Sequence, residues 1–268
     1  MPVPSDLAVR YQRDGYYVPI DAVAPKVARG VLDRIDRVTP AEQARASHPW
    51  LYKSYLLLRP IADLARAPGV LDAIEAVLGP DIVAISADIW IKEPGTGRHV
   101  SWHQDAQYYA IKPMAVVNAW VALTDATVEN GCMRFVPGSH TSGLRRHVNR
   151  PNSNNMLSHG QTLDPPVDEA RAEAAPLRAG QMSLHHGYLA HASGPNDTDG
   201  RRVGIAIKYI PASARPTGGP RMTGLLVRGR DHGHFGLERA PAVDFDDAAV
   251  AEHTRVMAPH AATRYMNF

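Results

Sequence analysis

Apolar positions in the first 80 residues recur mainly at the spacing of α-helices. Ser5 is a suitable N-cap for a short helix that ends at Gly15, and a strand-like run occupies 16–20. Two further apolar stripes begin near Pro25 and Pro68, and proline is well suited to the first turn of a helix. Their apolar positions are Val27, Val31, Ile35 and Val38, then Val70, Leu71, Ile74, Val77 and Leu78. The pattern predicts a helical N-terminal part.

After residue 80 the apolar period changes to two. Val83, Ile85, Ala87, Ile89 and Ile91 alternate with more polar neighbours, which predicts a strand with one apolar face and one mixed face. Further strand-like runs lie at 116–124, 133–136, 182–186 and 203–210, and turn-rich segments separate them. Many strands without βαβ alternation favour a sandwich or barrel. We therefore expect a mainly β fold with flanking α-helices.

The chain of 268 residues, 44% of them hydrophobic, is compatible with one domain. We divide 1–268 into helical support at 1–80, a strand-rich core at 81–211 and a C-terminal extension at 212–268. The segment at about 149–178 is polar and contains prolines. We interpret it as a long insertion of the kind that forms binding loops or lids.

Charge and composition narrow the classes of partner. The 29 basic and 27 acidic residues are interleaved and give a net charge of +2, which gives no case for a nucleic-acid groove or an anionic membrane surface. No apolar run approaches the roughly 20 residues of a membrane span, and the N-terminus lacks a secretory pattern. Cys132 is the only cysteine, so an internal disulfide is impossible. We expect a cytoplasmic protein with a small-molecule substrate and no nucleic-acid or membrane partner; the sequence leaves the oligomeric state open.

A His-x-Asp pair at His103 and Asp105 is the first candidate for metal chemistry. Residues at i and i+2 of an extended strand point to the same side and can reach one ion. His185, His186 and His191 lie in a second segment, and one of them would complete two imidazoles and one carboxylate. Such a facial triad leaves coordination positions open and suits non-haem iron(II), whereas a closed zinc site would need thiolates that the chain lacks. Each histidine could instead be a hydrogen-bonded structural residue.

Several motifs in a fixed order make the metal interpretation specific. They are YQRDGYYVPI at 11–20, WHQD at 102–105, VNAWVAL at 117–123, ENGCMRFVPGSH at 129–140, GQMSLHHGYLAHASGPN at 180–196 and RRVGIAIKYIP at 201–211. Together they resemble the phytanoyl-CoA dioxygenase family of iron(II)- and 2-oxoglutarate-dependent oxygenases, over nearly the whole chain. The resemblance implies a double-stranded β-helix (jelly-roll) core and the cofactors Fe(II), 2-oxoglutarate and O2.

The same resemblance assigns roles residue by residue. His103 and Asp105 match the first two iron ligands, and the His-x-Ser-x-x-Asn context selects His191 as the third. Arg202 and Ser193 match the groups that bind the far carboxylate of 2-oxoglutarate. The remaining co-substrate residues implied by the resemblance are Gln104, Trp120, Asp88 and Lys53, of which Lys53 aligns only if a short gap is allowed and Asp88 replaces an expected apolar residue.

The implied reaction is hydroxylation of an unactivated C–H bond, with release of succinate and CO2. Asp105 disfavours halogenation, because related halogenases replace this carboxylate by a small residue. Mixed polar and aromatic candidates for the substrate pocket favour a small metabolite or biosynthetic intermediate: Trp90, Lys92, Gln107, Tyr108, Asn118, Arg134 and 154–161. Two alternatives remain, a cupin-type metal dioxygenase that uses no 2-oxoglutarate and a non-catalytic binding barrel.

Overall fold

Helices precede strands along the chain, as the apolar spacing predicted. The structure, a computed structural model, describes residues 3–218 and 222–260; the outer bounds of the predicted domain and part of its C-terminal extension lie outside these residues. The α-helices are α1 (Leu7–Asp14), α2 (Pro25–Asp36), α3 (Pro40–Arg45), α4 (Arg59–Leu64), α5 (Pro68–Leu78) and α6 (Asp247–Met257). The strands are β1 (Tyr16–Asp21), β2 (Ile82–Lys92), β3 (Val100–His103), β4 (Ile111–Lys112), β5 (Val117–Ala122), β6 (Met133–Phe135), β7 (His147–Asn149), β8 (Gln161–Leu163), β9 (Glu173–Ala175), β10 (Gln181–His186), β11 (His191–Ser193), β12 (Arg202–Pro211), β13 (Arg215–Pro216), β14 (Thr223–Arg228) and β15 (Gly236–Leu237).

Two mainly antiparallel sheets form the core. The major sheet has the strand order β1-β10-β5-β12-β2-β14-β15, and the minor sheet has the order β3-β11-β6-β9. Sheet neighbours are distant in sequence, so the chain crosses repeatedly between the sheets, as it does in a jelly roll. Trp120 and Ala206 of the major sheet pack in one cluster with Phe135 of the minor sheet, which places the two sheets face to face. The predicted mainly β, double-stranded β-helix core is confirmed.

The two faces of β12 explain where the helices and the cavity lie. Val203, Ile205, Ile207 and Tyr209 are fully buried in the cluster that also contains the apolar faces of α1, α2, α4 and α5. The alternate residues Arg202, Gly204, Ala206 and Lys208 therefore face the minor sheet. Helices and major sheet therefore share one core.

Two details of the N-terminal helices differ from the prediction. The N-cap of α1 is Asp6 rather than Ser5. In α2 the buried positions are Ala28, Val31, Leu32 and Ile35, whereas Val27 is 43% exposed. The helical spacing was correct, but the buried stripe is centred about one residue further along.

The 149–178 segment, which we interpreted as a long insertion, contains regular structure. Its first part continues the hairpin of β7 and β8, and its last part, β9, is the edge strand of the minor sheet beside β6. Met156 and Leu157 are buried against Val100. Likewise, β14 of the predicted C-terminal extension pairs with β2 and widens the major sheet. Within the described residues, no helix combines the length and apolarity needed to cross a bilayer.

Candidate metal centre and co-substrate pocket

The two predicted metal-ligand segments meet in the minor sheet. His103 is the last residue of β3 and His191 the first of β11, and the two are direct cross-strand partners. Side chains opposite each other on an antiparallel pair are close neighbours, and these two imidazole rings have centroids 4.1 Å apart. Asp105 follows two residues after His103, where β3 gives way to a short 3-10 turn. The strand pairing therefore brings together residues that are 88 positions apart.

One potential ligand atom from each of His103, Asp105 and His191 lies within 4.8 Å of the other two, and all three residues are buried. Asp105 Oδ1 is 3.4 Å from His103 Nε2 and 3.9 Å from His191 Nε2. Each imidazole Nδ1 contacts a backbone carbonyl, that of Ser101 at 2.9 Å and that of Leu189 at 3.0 Å. A carbonyl only accepts, so Nδ1 carries the proton and Nε2 presents its lone pair to the centre of the cluster. This donor set fits a divalent metal with open coordination positions.

The surroundings of the cluster favour the protonation states that a metal requires. Asn118 Nδ2 donates to Asp105 Oδ2 at 2.8 Å. Burial by itself would raise the pKa of Asp105, but the contacts with His103 and His185 hold that pKa well below its usual range. Burial and the neighbouring imidazoles His103 and His185 lower the pKa of His191 well below its usual value. A neutral imidazole and an ionised carboxylate are ready to bind a metal without losing protons.

The other two histidines of the second segment have different positions. His185 on β10 is fully buried and lines the cavity, with its Nε2 3.6 Å from Asp105 Oδ2. His186 points away and packs against Tyr11 and His140. The candidate metal-ligand cluster within the described residues contains His191, which the Ser193-to-Asn196 context selected, and neither of these.

A cavity opens between the sheets beside the cluster. The predicted site residues that line it are His103, Asp105, His191, Ser193, Trp120 and Arg202. The cavity thus brings together six of the nine predicted site residues.

Arg202 is a buried cation that faces the cavity. It is 2% exposed, it donates to the Gly131 carbonyl at 2.9 Å, and its Nε has no partner among the described residues. Its guanidinium carbon lies 4.5 Å from the ring centroid of Trp120. Burial lowers the pKa of Arg202 to about 10, so it remains charged at neutral pH. A charged guanidinium with a free N–H in a cavity fits a carboxylate ligand.

Trp120 can occupy its place only because residue 204 is a glycine. A Cβ at Gly204 would lie 2.1 Å from Trp120 Cζ2, well inside van der Waals contact. Gly204 and Ala206 face the cavity between the long side chains of Arg202 and Lys208. The small residues of β12 therefore make room for the indole that covers the arginine.

Gln104 does not line the cavity. Its Nε2 donates to the carbonyls of Gly143 at 2.9 Å and Tyr188 at 2.6 Å, and its Oε1 accepts from the Arg145 backbone N–H at 2.7 Å. The amide is fully used in holding these loops against the end of β3. The role in binding the co-substrate that the resemblance implied therefore has no support from the position of this side chain.

Lys53 and Asp88 also lie outside the cavity lining. Lys53 Nζ forms an ion pair with Glu238 and donates to the Thr223 carbonyl at 3.3 Å. Asp88 accepts from Lys208 Nζ at 2.9 Å and from the backbone N–H of Lys53 at 3.1 Å. Both side chains are engaged in a buried charged network behind the cavity rather than directed toward a co-substrate.

Sequence reasoning missed Lys208, which lines the cavity and is held by Asp88. Burial opposes the charge of Lys208, but Asp88 raises its pKa above the usual value. The two-residue alternation from Arg202 through Gly204 and Ala206 to Lys208 would have identified it, because all four share one face of a strand.

The candidate substrate residues also divide into those that line the cavity and those that do not. Trp90 and Asn118 line the cavity, whereas Lys92, Gln107, Tyr108 and Arg134 are outside its lining. Trp90 also packs in the cluster of Met156 and Leu157, which brings the 149–178 segment to the wall of the site. Arg134 instead pairs with Glu169 near the surface.

A jelly roll that holds a His-x-Asp pair, a distal histidine and a buried arginine in one cavity defines the class of iron(II)- and 2-oxoglutarate-dependent oxygenases. Residues 11–204 match the family described as Phytanoyl-CoA dioxygenase (PhyH), and the chain belongs to this family. The predicted family is confirmed, and the predicted Fe(II), 2-oxoglutarate and O2 are the cofactors of this class.

Two curated relatives show the extent of the sequence similarity. Phytanoyl-CoA dioxygenase domain-containing protein 1 of Rattus norvegicus is 36% identical over 153 residues, which are 56% of this chain and 52% of that protein. A probable alpha-ketoglutarate-dependent hypophosphite dioxygenase of Stutzerimonas stutzeri is 30% identical over 192 residues, 69% of this chain and 65% of that protein. The chain thus spans about half to two thirds of the length of these relatives.

Solved structures extend the similarity over the whole fold. The non-heme monooxygenase ThoJ in its apo form has a TM-score of 0.81 and 35% identity, covering 97% of this chain and 100% of its own. The epimerase SnoN, solved with Fe3+, alpha ketoglutarate and nogalamycin RO, has a TM-score of 0.65 and 25% identity, covering 88% of this chain and 95% of its own. The jelly-roll assignment therefore holds across the described chain.

Proposed function

We propose that the chain is an iron(II)- and 2-oxoglutarate-dependent dioxygenase that hydroxylates an unactivated C–H bond of a small metabolite or biosynthetic intermediate. The observation that carries this proposal is the buried His103, Asp105 and His191 cluster in one cavity with a buried arginine that has no carboxylate partner among the described residues. When bound, iron and 2-oxoglutarate supply the oxidising chemistry, with succinate and CO2 as co-products.

The chain's own residues fix the geometry of the metal. His103 and His191 would bind it through Nε2 and Asp105 through Oδ1, since the backbone carbonyls hold each Nδ1 and Asn118 holds Asp105 Oδ2. Every ligand is thus oriented by a second hydrogen bond before a metal arrives. Because a carboxylate occupies position 105, we expect hydroxylation rather than halogenation.

Arg202 and Ser193 would bind the far carboxylate of 2-oxoglutarate, with Trp120 covering the arginine. A guanidinium on the major sheet and a hydroxyl on the facing minor sheet can donate to both oxygens of one carboxylate. This pair separates the proposal from a cupin-type dioxygenase without 2-oxoglutarate, which would have no need of a buried cation here.

The lining of the cavity supports a substrate with polar groups. Trp90 offers an indole N–H and Asn118 an amide oxygen that have no partner among the described residues, and Lys208 adds a cation. These groups suit a molecule with polar substituents beside the bond that is oxidised. A cytoplasmic location and the absence of nucleic-acid or membrane partners stay predictions from the sequence.

Adding Fe(II) and 2-oxoglutarate in the absence of oxygen tests this function. We expect a visible charge-transfer band of the chelate in the wild-type protein and its loss in His191→Ala. The matched control His185→Ala removes a neighbouring buried histidine outside the ligand cluster, and the band should persist. Folded wild-type protein without a band would contradict the proposal and favour a non-catalytic barrel. If the band forms, 2-oxoglutarate turnover against a panel of metabolites would identify the substrate class.

A further inference from the structure

We propose that Lys92 is a positioning residue for 2-oxoglutarate: it orients the Ser193 hydroxyl toward the far carboxylate and places a second positive charge behind Arg202. The inference rests on the proposed function, because it concerns the same co-substrate. It assigns a role to a lysine that neither lines the cavity nor belongs to the residues that the family resemblance identified.

The position of Lys92 connects the two sheets at the arginine end of the cavity. Lys92 is the last residue of β2, and its direct cross-strand partner is Arg202. The side chain is fully buried and crosses to the minor sheet, where Nζ donates to Ser193 Oγ at 2.7 Å and to the Gly194 carbonyl. A longer contact of 3.5 Å reaches the Gly131 carbonyl, which also accepts from Arg202.

This contact determines what the Ser193 hydroxyl can do. When Lys92 is protonated, its ammonium group has donors and no acceptor, so Ser193 Oγ must accept from it. The hydroxyl proton is then free, and the described residues provide no acceptor for it. Since Ser193 lines the cavity, its O–H can be donated to an anion that lies there.

Lys92 and Arg202 have no counter-charge at this end of the cavity. Among the described residues, their side-chain contacts go to backbone carbonyls and the Ser193 hydroxyl, although both side chains are buried. The other titratable group that faces them is Cys132, and burial raises the pKa of its thiol, which keeps it neutral. Two buried cations without a counter-charge are unfavourable unless an anion joins them. A dianionic co-substrate with one carboxylate at this position would supply that charge.

Protonation of Lys92 should therefore be coupled to co-substrate binding. Burial and the charge of Arg202 lower the pKa of Lys92 to about 6 in the free protein. A carboxylate bound at Arg202 raises that pKa, because it favours the ammonium form. Affinity should be greatest at and below pH 6, where the lysine is already protonated, and should fall as the pH rises through the window between the free and bound pKa values.

The test is calorimetric titration of 2-oxoglutarate into the Fe(II)-loaded protein without oxygen, from pH 6 to 9, in buffers of different ionisation heat. The wild-type protein should take up a fraction of a proton near pH 7.5, and its Kd should rise with pH. For Lys92→Met we expect a Kd at pH 6 that is about 10- to 100-fold weaker, with little dependence on pH, since a hydrogen-bonded charge is lost. Lys112→Met, which removes an exposed lysine on β4, should behave like the wild type.

The outcomes separate this inference from the proposed function. If the wild type forms no chelate band, the proposed function itself fails. If the band forms but no proton is taken up, or Lys92→Met keeps the wild-type Kd and pH profile, only the role of Lys92 is wrong. Weaker binding in Lys92→Met with an unchanged pH slope would indicate a merely structural lysine and would also overturn it. Should Lys92→Met fail to fold, the wild-type proton uptake and Ser193→Ala decide: this variant should bind more weakly yet still take up the proton.

Discussion

Removing the amide of Asn118 should weaken metal binding without directly removing a ligand. Asn118 Nδ2 donates to Asp105 Oδ2 at 2.8 Å, and this leaves Oδ1 directed toward the two histidines. The amide oxygen of Asn118 has no partner among the described residues, so Asn118→Ala breaks that one bond. A hydrogen bond to a charged group contributes about 1.5–3 kcal/mol. Since about 1.4 kcal/mol is a factor of ten, iron(II) affinity should fall roughly 10- to 100-fold.

The assay is anaerobic competition for Fe(II) between the protein and a chromophoric chelator, with thermal unfolding of the metal-free proteins measured in parallel. Tyr209→Phe is the matched control, because it removes a buried hydrogen bond of 2.9 Å to the Ala65 carbonyl on the opposite face of the same sheet. It should lower the melting temperature and leave the iron affinity unchanged. The reasoning is refuted if Asn118→Ala binds iron as tightly as the wild type, or if Tyr209→Phe loses as much affinity.

Three further substitutions test other parts of the site. Gly204→Ala introduces a Cβ 2.1 Å from Trp120 Cζ2. It should destabilise the protein by about 1–3 kcal/mol in denaturant unfolding and weaken 2-oxoglutarate binding. An unfolding curve like that of the wild type would show that the indole has room to move. Asp88→Ala leaves the Lys208 ammonium buried without its partner and should lower the free energy of unfolding by about 3–5 kcal/mol. The double variant Asp88→Ala/Lys208→Met should recover most of this loss. Strictly additive losses of stability would contradict an interaction between the two residues. Arg202→Lys keeps the charge but loses the planar guanidinium that can donate two parallel hydrogen bonds. The Kd for 2-oxoglutarate should therefore rise roughly 10-fold while the iron affinity stays unchanged. An equal loss of iron affinity and 2-oxoglutarate affinity would contradict a separate anion pocket.

Local spacing was sufficient to predict the main strands and the ligand pair. The alternation along β12 is visible in the sequence because one face of that strand packs against the helices. The predicted apolar face of β2 is divided, since Val83 and Ile85 pack in a separate cluster whereas Ala87 and Ile89 pack with the helices. His103 and Asp105 share one side of a short stretch, so their proximity follows from the backbone alone. The third ligand needed the family resemblance, since the pairing of β11 with β3 is not encoded within either segment.

The errors concern side chains whose partners are distant in sequence. Gln104 is adjacent to a ligand, yet its amide binds loop carbonyls at Gly143 and Tyr188. Lys53 pairs with Glu238, and no pattern near either residue indicates the other. A buried charged side chain needs a counter-charge, and the position of that counter-charge is set by the completed fold.

Glu238 reaches Lys53 across 185 positions of the chain, and Tyr55 donates to the same carboxylate at 2.6 Å. During synthesis Lys53 leaves the ribosome long before Glu238. The lysine therefore has no counter-charge at the stage when the first helices and β2 have already emerged and could pack around it. Burying an unpaired ammonium is costly, and the segment around residue 53 should therefore stay loosely packed until the last strands emerge. We expect ribosome-bound chains that end shortly before residue 238 to be cleaved near Lys53 by a lysine-specific protease, and released full-length chains to resist. The final packing of the N-terminal part would thus be a late, post-translational event.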